Sequence, residues 1–273
     1  MQTTKSKLSS RLKKIAWIVF IFTCTLLAVL YMFQEKLIFQ PTSLKADYAF
    51  KFNQSFEEFT IPTTDGEQLN ALVFSPADSS KGLIFYFHGN AGNLQRWGQY
   101  AIDFTKLGYT VLMIDYRGYG KSTGTPGEKE FYQDASTVLT WAQQQLTFTK
   151  LIFYGRSLGA AVASQLATQH TPNLLILETP FDELAGVVNP PMQAMLSWIP
   201  LRYQFPNKLH LPQIACPKII FHGTNDWVVP LRSAEKLKPL LTSSDQFFLI
   251  EGGSHRNLRE FDTYHQHLAE VLQ

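Results

Sequence analysis

The chain has 273 residues, of which 45% are hydrophobic and 17% are charged, and its formal net charge is +2. This length and apolar content suit a single α/β domain with a large core, and glycine and proline are not clustered into low-complexity tracts. Beyond residue 14 the chain carries 19 basic and 22 acidic side chains, so its bulk lacks the positive excess of a nucleic-acid-binding protein.

The N-terminus combines a basic segment with a long apolar run. Residues 1–14 carry basic side chains and no acidic one (Lys5, Lys7, Arg11, Lys13 and Lys14). Residues 15–33 carry no charge, and at about 1.5 Å per residue they reach roughly the 30 Å of a hydrocarbon core. We interpret residues 15–33 as a transmembrane signal anchor. A buried core helix and a cleaved signal peptide are the alternatives, although the bulky sequence YMFQEKLIF offers no small-residue cleavage site.

The positive-inside rule places residues 1–14 in the cytoplasm and the rest of the chain across the membrane. That side is the periplasm in a Gram-negative bacterium and a lumen or the exterior otherwise. Cys24 in the predicted anchor and Cys216 in the domain are not expected to pair. Residues 34–55 are interpreted as a connector, and residues 56–273 as the folded domain.

From residue 55 onward, β-like runs alternate with segments of helical spacing. SFEEFTI and LNALVFSP predict a strand pair joined by the turn TTDGE. Further strands are predicted at GLIFYFHG, YTVLMIDY, LIFYG, NLLILET, KIIFHG and QFFLIEG. Helices are predicted at NLQRWGQYAIDFTKLG, EKEFYQDASTVLTWAQQQL, SLGAAVASQLATQ and SHRNLREFDTYHQHLAEVL. This alternation predicts a mostly parallel sheet with helices on both faces, and ligands at the carboxyl ends of its strands.

Residues 181–217 interrupt this alternation. The segment holds six prolines and several large apolar side chains, and it is too long for a simple connection. We interpret it as a small helical cap over the site, with a surface crossover packed on the core as the alternative.

The sequence GRSLG, from Gly155 to Gly159, stands between a predicted strand and a predicted helix. The motif G-x-S-x-G requires this context, because a tight turn there presents the serine hydroxyl near a helix N-terminus. Gly155 and Gly159 allow the strand and the helix to approach closely. The motif therefore predicts Ser157 as a nucleophile, with a helix-capping serine as the alternative.

A serine nucleophile needs a base and an orienting carboxylate, which follow it in the order Ser, acid, His. Asp226 comes after the strand KIIFHG, and His255 comes after QFFLIEG. Both positions are at the carboxyl ends of predicted strands. The sequence predicts Asp226 as the acid and His255 as the base. The alternatives are a turn or capping role for Asp226 and an ordinary helix N-terminal position for His255.

The strand GLIFYFHG is followed by a glycine-rich loop, His88 to Gly92. Acyl transfer needs two amide donors directed at the developing oxyanion. The N–H of Leu158, the residue after the nucleophile, is expected to be one donor. The N–H of Asn90 in the glycine-rich loop is predicted to be the other.

Together, the motifs HGNAGN, DYRGYGKS, GRSLG, HGTNDWVVP and GGSH resemble those of the α/β-hydrolase superfamily, over roughly residues 55–272. They are most similar to the membrane-anchored hydrolases related to the bud-emergence (Bem) proteins. The resemblance implies an eight-stranded sheet whose first two strands form an antiparallel edge. It also implies Ser157 as nucleophile, His255 as base and Asp226 as acid.

These residues predict a membrane-anchored serine hydrolase that cleaves a carboxylic ester or thioester, of a small molecule or a lipid, through an acyl-enzyme. A serine peptidase of the same fold and a non-catalytic binding protein of this fold are the alternatives. No cofactor is expected, and no metal, because the histidines lack metal-ligand spacing. Two roles stay open for Arg156: contact with an anionic substrate, or pairing with an acid such as Asp182.

Overall fold

The computed structural model describes residues 2–187 and 201–273. The predicted cap, residues 181–217, is described only in part, because residues 188–200 lie outside the described ranges. Its described flanks hold a 3₁₀ turn at Leu184–Val187 and a short helix after Pro206. The cap therefore stays a prediction.

The first helix, α1 (Gln2–Met32), is long and contains neither proline nor glycine to interrupt it. Its segment Arg11–Met32 has a mean hydropathy of 2.4 and is not buried inside the fold. Both a membrane span and a signal sequence meet this description. Helix α1 is therefore a candidate membrane span.

The described strands are β1 (Gln40–Pro41), β2 (Phe56–Pro62), β3 (Gln68–Phe74), β4 (Leu83–Phe87), β5 (Ala91–Gly92), β6 (Thr110–Ile114), β7 (Leu151–Arg156), β8 (Leu174–Glu178), β9 (Lys218–Gly223) and β10 (Gln246–Ile250). Within the described residues, eight of them form one sheet in the order β10-β9-β8-β7-β4-β6-β3-β2, and the two short strands β1 and β5 pair separately. Strand β3 runs antiparallel to both β2 and β6, and the other neighbours are parallel. The predicted mostly parallel, eight-stranded sheet is thus confirmed.

Most helices after α1 lie between strands along the chain, as the alternation predicts; the first of them precedes β1 and the last follows β10. They are α2 (Gln34–Ile38), α3 (Leu94–Trp97), α4 (Ile102–Thr105), α5 (Glu128–Gln145), α6 (Leu158–Gln169), α7 (Asn207–His210), α8 (Leu231–Glu235) and α9 (Asp262–Val271). Further 3₁₀ turns lie at Gly98–Tyr100, Leu211–Gln213, Lys238–Leu240 and Leu258–Glu260.

The sheet separates two hydrophobic cores. In β4, Phe85 and Phe87 belong to the core under α5 and α6, whereas Ile84 and Tyr86 belong to the core under α4 and α9. This alternation follows from the two-residue period of a strand. Because both faces are covered, all five residues of β4 are buried, which explains its continuous apolar sequence.

Two predicted helices are shorter in the structure. The segment 93–108 is divided into α3, a 3₁₀ turn and α4. At the division, a Cβ on Gly98 would lie 2.5 Å from the Phe52 ring and 2.8 Å from that of Phe74, so a larger residue would have to displace these rings. The last helix begins at Asp262 rather than at Ser254. Before it, the Asn257 Oδ1 accepts hydrogen bonds from the Ser254 N–H and hydroxyl, both at 2.7 Å, and this side-chain turn competes with helix.

Residues 34–41, in the predicted connector, pack into the domain. Phe39 is 3% exposed and its ring lies 5.3 Å from Phe131 and 5.0 Å from Tyr203, edge to face in both cases. In the adjoining strand pair, Gln40 is in register with Ala91. The segment that follows α1 is therefore packed against the folded domain.

Candidate active site

A sharp turn places Ser157 between β7 and α6. Its backbone has φ 53° and ψ −114°, a conformation that costs a non-glycine residue on the order of 1–3 kcal/mol. The Ser157 N–H donates to the Glu178 carbonyl on the neighbouring strand at 2.9 Å, which ties the turn to the sheet. The side chain thus stands at the carboxyl end of the sheet and at the N-terminus of a helix of 12 residues.

Gly155 and Gly159 allow the close approach of strand and helix at this turn. A Cβ on Gly155 would lie 2.6 Å from the Ala160 Cα. A Cβ on Gly159 would overlap the Phe87 carbonyl oxygen and would lie 2.6 Å from that of His88. These are backbone atoms of buried elements, which cannot move aside as a flexible side chain can.

We expect Gly159→Ala to lower the free energy of unfolding by at least about 3 kcal/mol, because the added methyl group overlaps backbone atoms. Thermal or urea unfolding of the solubilised protein measures this. Gly66→Ala is the control: Gly66 has φ +91°, but a Cβ added there would meet no atom within 4 Å, so only backbone strain of about 1–2 kcal/mol is expected. Equal losses for the two variants would contradict the packing argument.

His255 and Asp226 form a close pair beside this turn. The His255 Nδ1 lies 2.8 Å from the Asp226 Oδ2. His255 is partly exposed, whereas the Asp226 carboxylate is buried. A carboxylate in this position fixes the ring orientation and the tautomer, leaving Nε2 free to exchange a proton.

The Asp226 carboxylate is itself held by its loop. Its Oδ1 accepts the N–H groups of Val228 at 2.8 Å and Val229 at 2.7 Å. Beneath it, His222 is fully buried and its Nε2 lies 3.0 Å from the Val229 carbonyl oxygen, to which it donates. Burial lowers the pKa of His222, which keeps this ring neutral. The loop therefore presents a single carboxylate oxygen to His255.

One pocket, with a volume of about 340 Å³, brings most of the predicted site residues together. Its wall includes Asn90, Ser157, Leu158 and His255. Among the described residues the rest of the lining is mainly apolar or cationic: Ile38, Gln40, Gly89, Ala91, Arg96, Trp97, Arg156, Phe181, Leu184, Val187, Val228, Val229 and Arg256. A pocket of this volume with a mainly apolar wall and a few polar groups is typical of a small-molecule site.

The loop after β4 is fixed by side-chain hydrogen bonds. The Tyr119 hydroxyl donates to the Asn90 Oδ1 at 2.8 Å, and the Trp97 indole N–H donates to the Ala91 carbonyl at 2.7 Å. The Asn90 Nδ2 donates to the Ile38 carbonyl at 2.5 Å. These bonds fix the loop through the side chain of Asn90 and the carbonyl group of Ala91.

Arg156 is a buried residue of the pocket wall and does not pair with Asp182. Its Nε is 3.3 Å from the Glu178 Oε1, and its Nη2 donates to the His255 carbonyl at 2.7 Å. The guanidinium also lies 5.3 Å from the Trp97 ring and 4.9 Å from that of Tyr100. Burial is the largest single influence and lowers the pKa of Arg156, but the Glu178 carboxylate together with Tyr86, Tyr100 and Tyr154 outweighs it, so the pKa is raised.

The suggested pairing of Arg156 with Asp182 is therefore wrong. Asp182 is occupied by Lys236, whose Nζ lies 2.8 Å from its Oδ2. The sequence contains no signal for Glu178, since the pairing depends on the register in which Arg156 of β7 faces Glu178 of β8. Ile38 and Gln40 also line the pocket, although the sequence placed them in the connector, within the stretch LIFQP, and did not predict them as site residues.

A family comparison matches the central part of the chain. The family described as "Serine aminopeptidase, S33" (Hydrolase_4) matches residues 78–210. This segment contains Asn90 and Ser157 and ends before Asp226 and His255.

Curated proteins match over a larger share of the chain. An uncharacterized protein of Mycobacterium tuberculosis is 29% identical over 233 residues, covering 82% of this chain and 81% of its own length. The lysophosphatidylserine lipase ABHD12 of Bos taurus is 32% identical over 214 residues, covering 69% of this chain and 53% of its own length. The chain thus spans about half the length of that lipase.

Solved structures share the fold. An esterase of Pyrococcus furiosus superposes with a TM-score of 0.70 at 17% identity, over 86% of this chain and 97% of the esterase. The esterase domain of a Rhodothermus marinus protein superposes with a TM-score of 0.60 at 17% identity, over 80% of this chain and 96% of that domain. At such identities the similarity establishes a common architecture.

Proposed function

Since the chain belongs to the α/β-hydrolase superfamily, we propose that it is a membrane-anchored serine hydrolase that cleaves a carboxylic ester or thioester. The observation that carries the proposal is the 2.8 Å contact of His255 with Asp226, at the pocket that Ser157 also lines. Helix α1 is the anchor, with its N-terminus in the cytoplasm and the domain across the membrane.

In the proposed reaction, the His255 Nε2 removes the proton of the Ser157 hydroxyl, and Oγ attacks the carbonyl carbon of the substrate. The N–H groups of Leu158 and Asn90 stabilise the negative charge on the tetrahedral intermediate. His255 then protonates the departing alkoxide or thiolate, which leaves an acyl-enzyme on Ser157. Water, deprotonated by His255, releases the acid. Asp226 holds the imidazole in the required tautomer throughout.

A lipid or another ester with an acyl chain is the substrate class that the pocket supports best. Apolar side chains such as Leu158 and Val229 form much of its wall. Relatives and structural neighbours named as a lipase and an esterase support the same class. Arg96 and Arg256, both exposed at the pocket, suit an ester that carries a negative charge.

A serine peptidase is the second candidate, because the matched family is described as a serine aminopeptidase. Binding a free α-amino group favours a carboxylate in the pocket. The described residues of the lining include three arginines and no aspartate or glutamate. The pocket charge therefore favours the ester.

We expect the solubilised protein to hydrolyse p-nitrophenyl butyrate and to leave aminoacyl p-nitroanilides intact, because the pocket lining repels an ammonium group. Release of p-nitrophenol and of p-nitroaniline measures the two activities on the same protein sample. Faster cleavage of the anilide would replace the esterase proposal by the peptidase one.

A further inference from the structure

The chain that leaves α1 becomes the wall of the pocket within a few residues. Met32 ends α1, and Ile38, which lines the pocket, ends α2. At about 1.5 Å per residue for helical chain, Ile38 lies within roughly 10 Å of the end of α1. The polar region of one leaflet is itself roughly 5–8 Å thick. A pocket wall so close to the end of a membrane span lies at the membrane surface.

Packing contacts hold this wall in place. The side chain of Asn90 donates to the Ile38 carbonyl at 2.5 Å and accepts from the Gln40 N–H at 3.3 Å. Phe39 between them is buried. On the other side of α2, the Arg202 N–H donates to the Gln34 side-chain oxygen at 2.9 Å. Turning the pocket away from the end of α1 requires these contacts to break.

The Asp226 loop brings an exposed apolar pair to the same pocket. Val228 lines the pocket and is 45% exposed, and its neighbour Trp227 is 92% exposed. The two N–H bonds to the Asp226 carboxylate fix this stretch of backbone. An indole that is almost wholly in water leaves a large apolar surface uncovered. The membrane–water interface is the environment that tryptophan prefers, because it accommodates both the ring and its N–H.

We propose that the pocket face of the domain docks on the bilayer, with Trp227 inserted at the lipid interface and the pocket mouth facing the membrane. The substrate then enters from the bilayer rather than from water. The proposal rests on the anchoring and the ester hydrolysis proposed above. Arg96 and Arg256 on the same pocket meet lipid phosphates in this orientation.

Fluorescence quenching tests the docking without any need for activity. The full chain is reconstituted in phosphatidylcholine vesicles, either ordinary or brominated at mid-chain. The difference between wild type and Trp227→Phe isolates the emission of Trp227. We expect the brominated lipid to quench roughly half of the Trp227 emission, as for an indole at the interface. Trp141, half-buried on α5 against Phe59, supplies the control through Trp141→Phe, and its emission is expected to stay unchanged. Equal Trp227 emission in both vesicles would overturn the proposal.

Kinetics give a second test. In the vesicles, Trp227→Ser is expected to lower hydrolysis of the bilayer-borne ester 4-methylumbelliferyl oleate about fivefold relative to that of the soluble p-nitrophenyl acetate. Leu249→Ser is the control, because Leu249 is a 44% exposed apolar side chain on the edge strand β10, and it should leave the ratio unchanged. Equal losses on both esters would assign Trp227 to the support of Asp226 and contradict docking.

The two tests separate this inference from the proposed function. A wild-type protein that hydrolyses neither ester contradicts the proposed function, while the quenching result still decides whether the domain docks. A protein that hydrolyses both esters and shows no quenching supports the function and overturns the docking.

Discussion

Ser157→Ala is expected to abolish ester hydrolysis and labelling by a fluorophosphonate probe, while the protein stays folded. The variant removes the Ser157 Oγ, the atom to which the acyl group is bonded in the proposed acyl-enzyme. Removal of such a nucleophile lowers kcat on the order of 10⁴-fold or more. The fold is expected to survive, because alanine keeps the Cβ and the backbone N–H that donates to the Glu178 carbonyl. In-gel fluorescence and p-nitrophenyl butyrate turnover of the solubilised protein measure both losses.

Ser164→Ala is the matched control for this variant. Ser164 lies on the same helix and is buried, but its hydroxyl is bonded to the Ala160 carbonyl and to the Asn207 side chain, both at 2.7 Å. Its loss should leave labelling unchanged. Retained turnover in folded Ser157→Ala contradicts the mechanism. Folded wild-type protein that takes no label favours the third interpretation of the sequence, a non-catalytic protein of this fold.

Arg156→Lys is expected to lower kcat for a neutral ester roughly tenfold and to leave KM unchanged. Lysine keeps the charge beside Glu178 but lacks the fork with which arginine reaches both that carboxylate and the His255 carbonyl. The His255 loop is therefore held less firmly, while the pocket surface that binds the substrate is kept. Steady-state kinetics with p-nitrophenyl butyrate measure the two constants.

A double variant separates positioning from stability. Arg156→Met alone leaves the buried Glu178 carboxylate unpaired and is expected to cost about 3–5 kcal/mol of stability. Adding Glu178→Gln removes that charge and should restore folding, because the amide oxygen still accepts the Tyr154 hydroxyl. If Arg156 positions His255, the double variant is stable but still has a low kcat. Full recovery of kcat would show a purely structural role.

Contact of Arg156 with an anionic substrate has a different kinetic signature. In that case Arg156→Lys and the double variant raise KM for an ester with a carboxylate more than for a neutral ester. We expect no such difference, because the guanidinium is 2% exposed and already faces Glu178, Trp97 and Tyr100.

The features that the sequence predicted well are those set by local chemistry. The five consecutive apolar residues of β4 predict a strand with both faces covered, and in the structure all five are buried. The turn at Ser157 was predicted from the motif G-x-S-x-G between a predicted strand and a predicted helix, which is a local pattern. The proposed order of nucleophile, acid and base along the chain used only the ends of predicted strands, and these catalytic roles stay predictions. The helix predicted over residues 93–108 is divided in the structure near Gly98, which packs against Phe52, a residue distant in sequence.

The sequence by itself thus determined the strand and helix alternation, the sharp turn and three candidate side chains at strand ends. Only the tertiary structure decided which neighbours those side chains have. Arg156 faces Glu178 because β7 and β8 pair in one register, and Ile38 meets Asn90 across 52 residues of sequence. Such contacts depend on how elements pack and not on their composition, because a buried charge or a carbonyl group is satisfied by whichever partner the fold brings within reach.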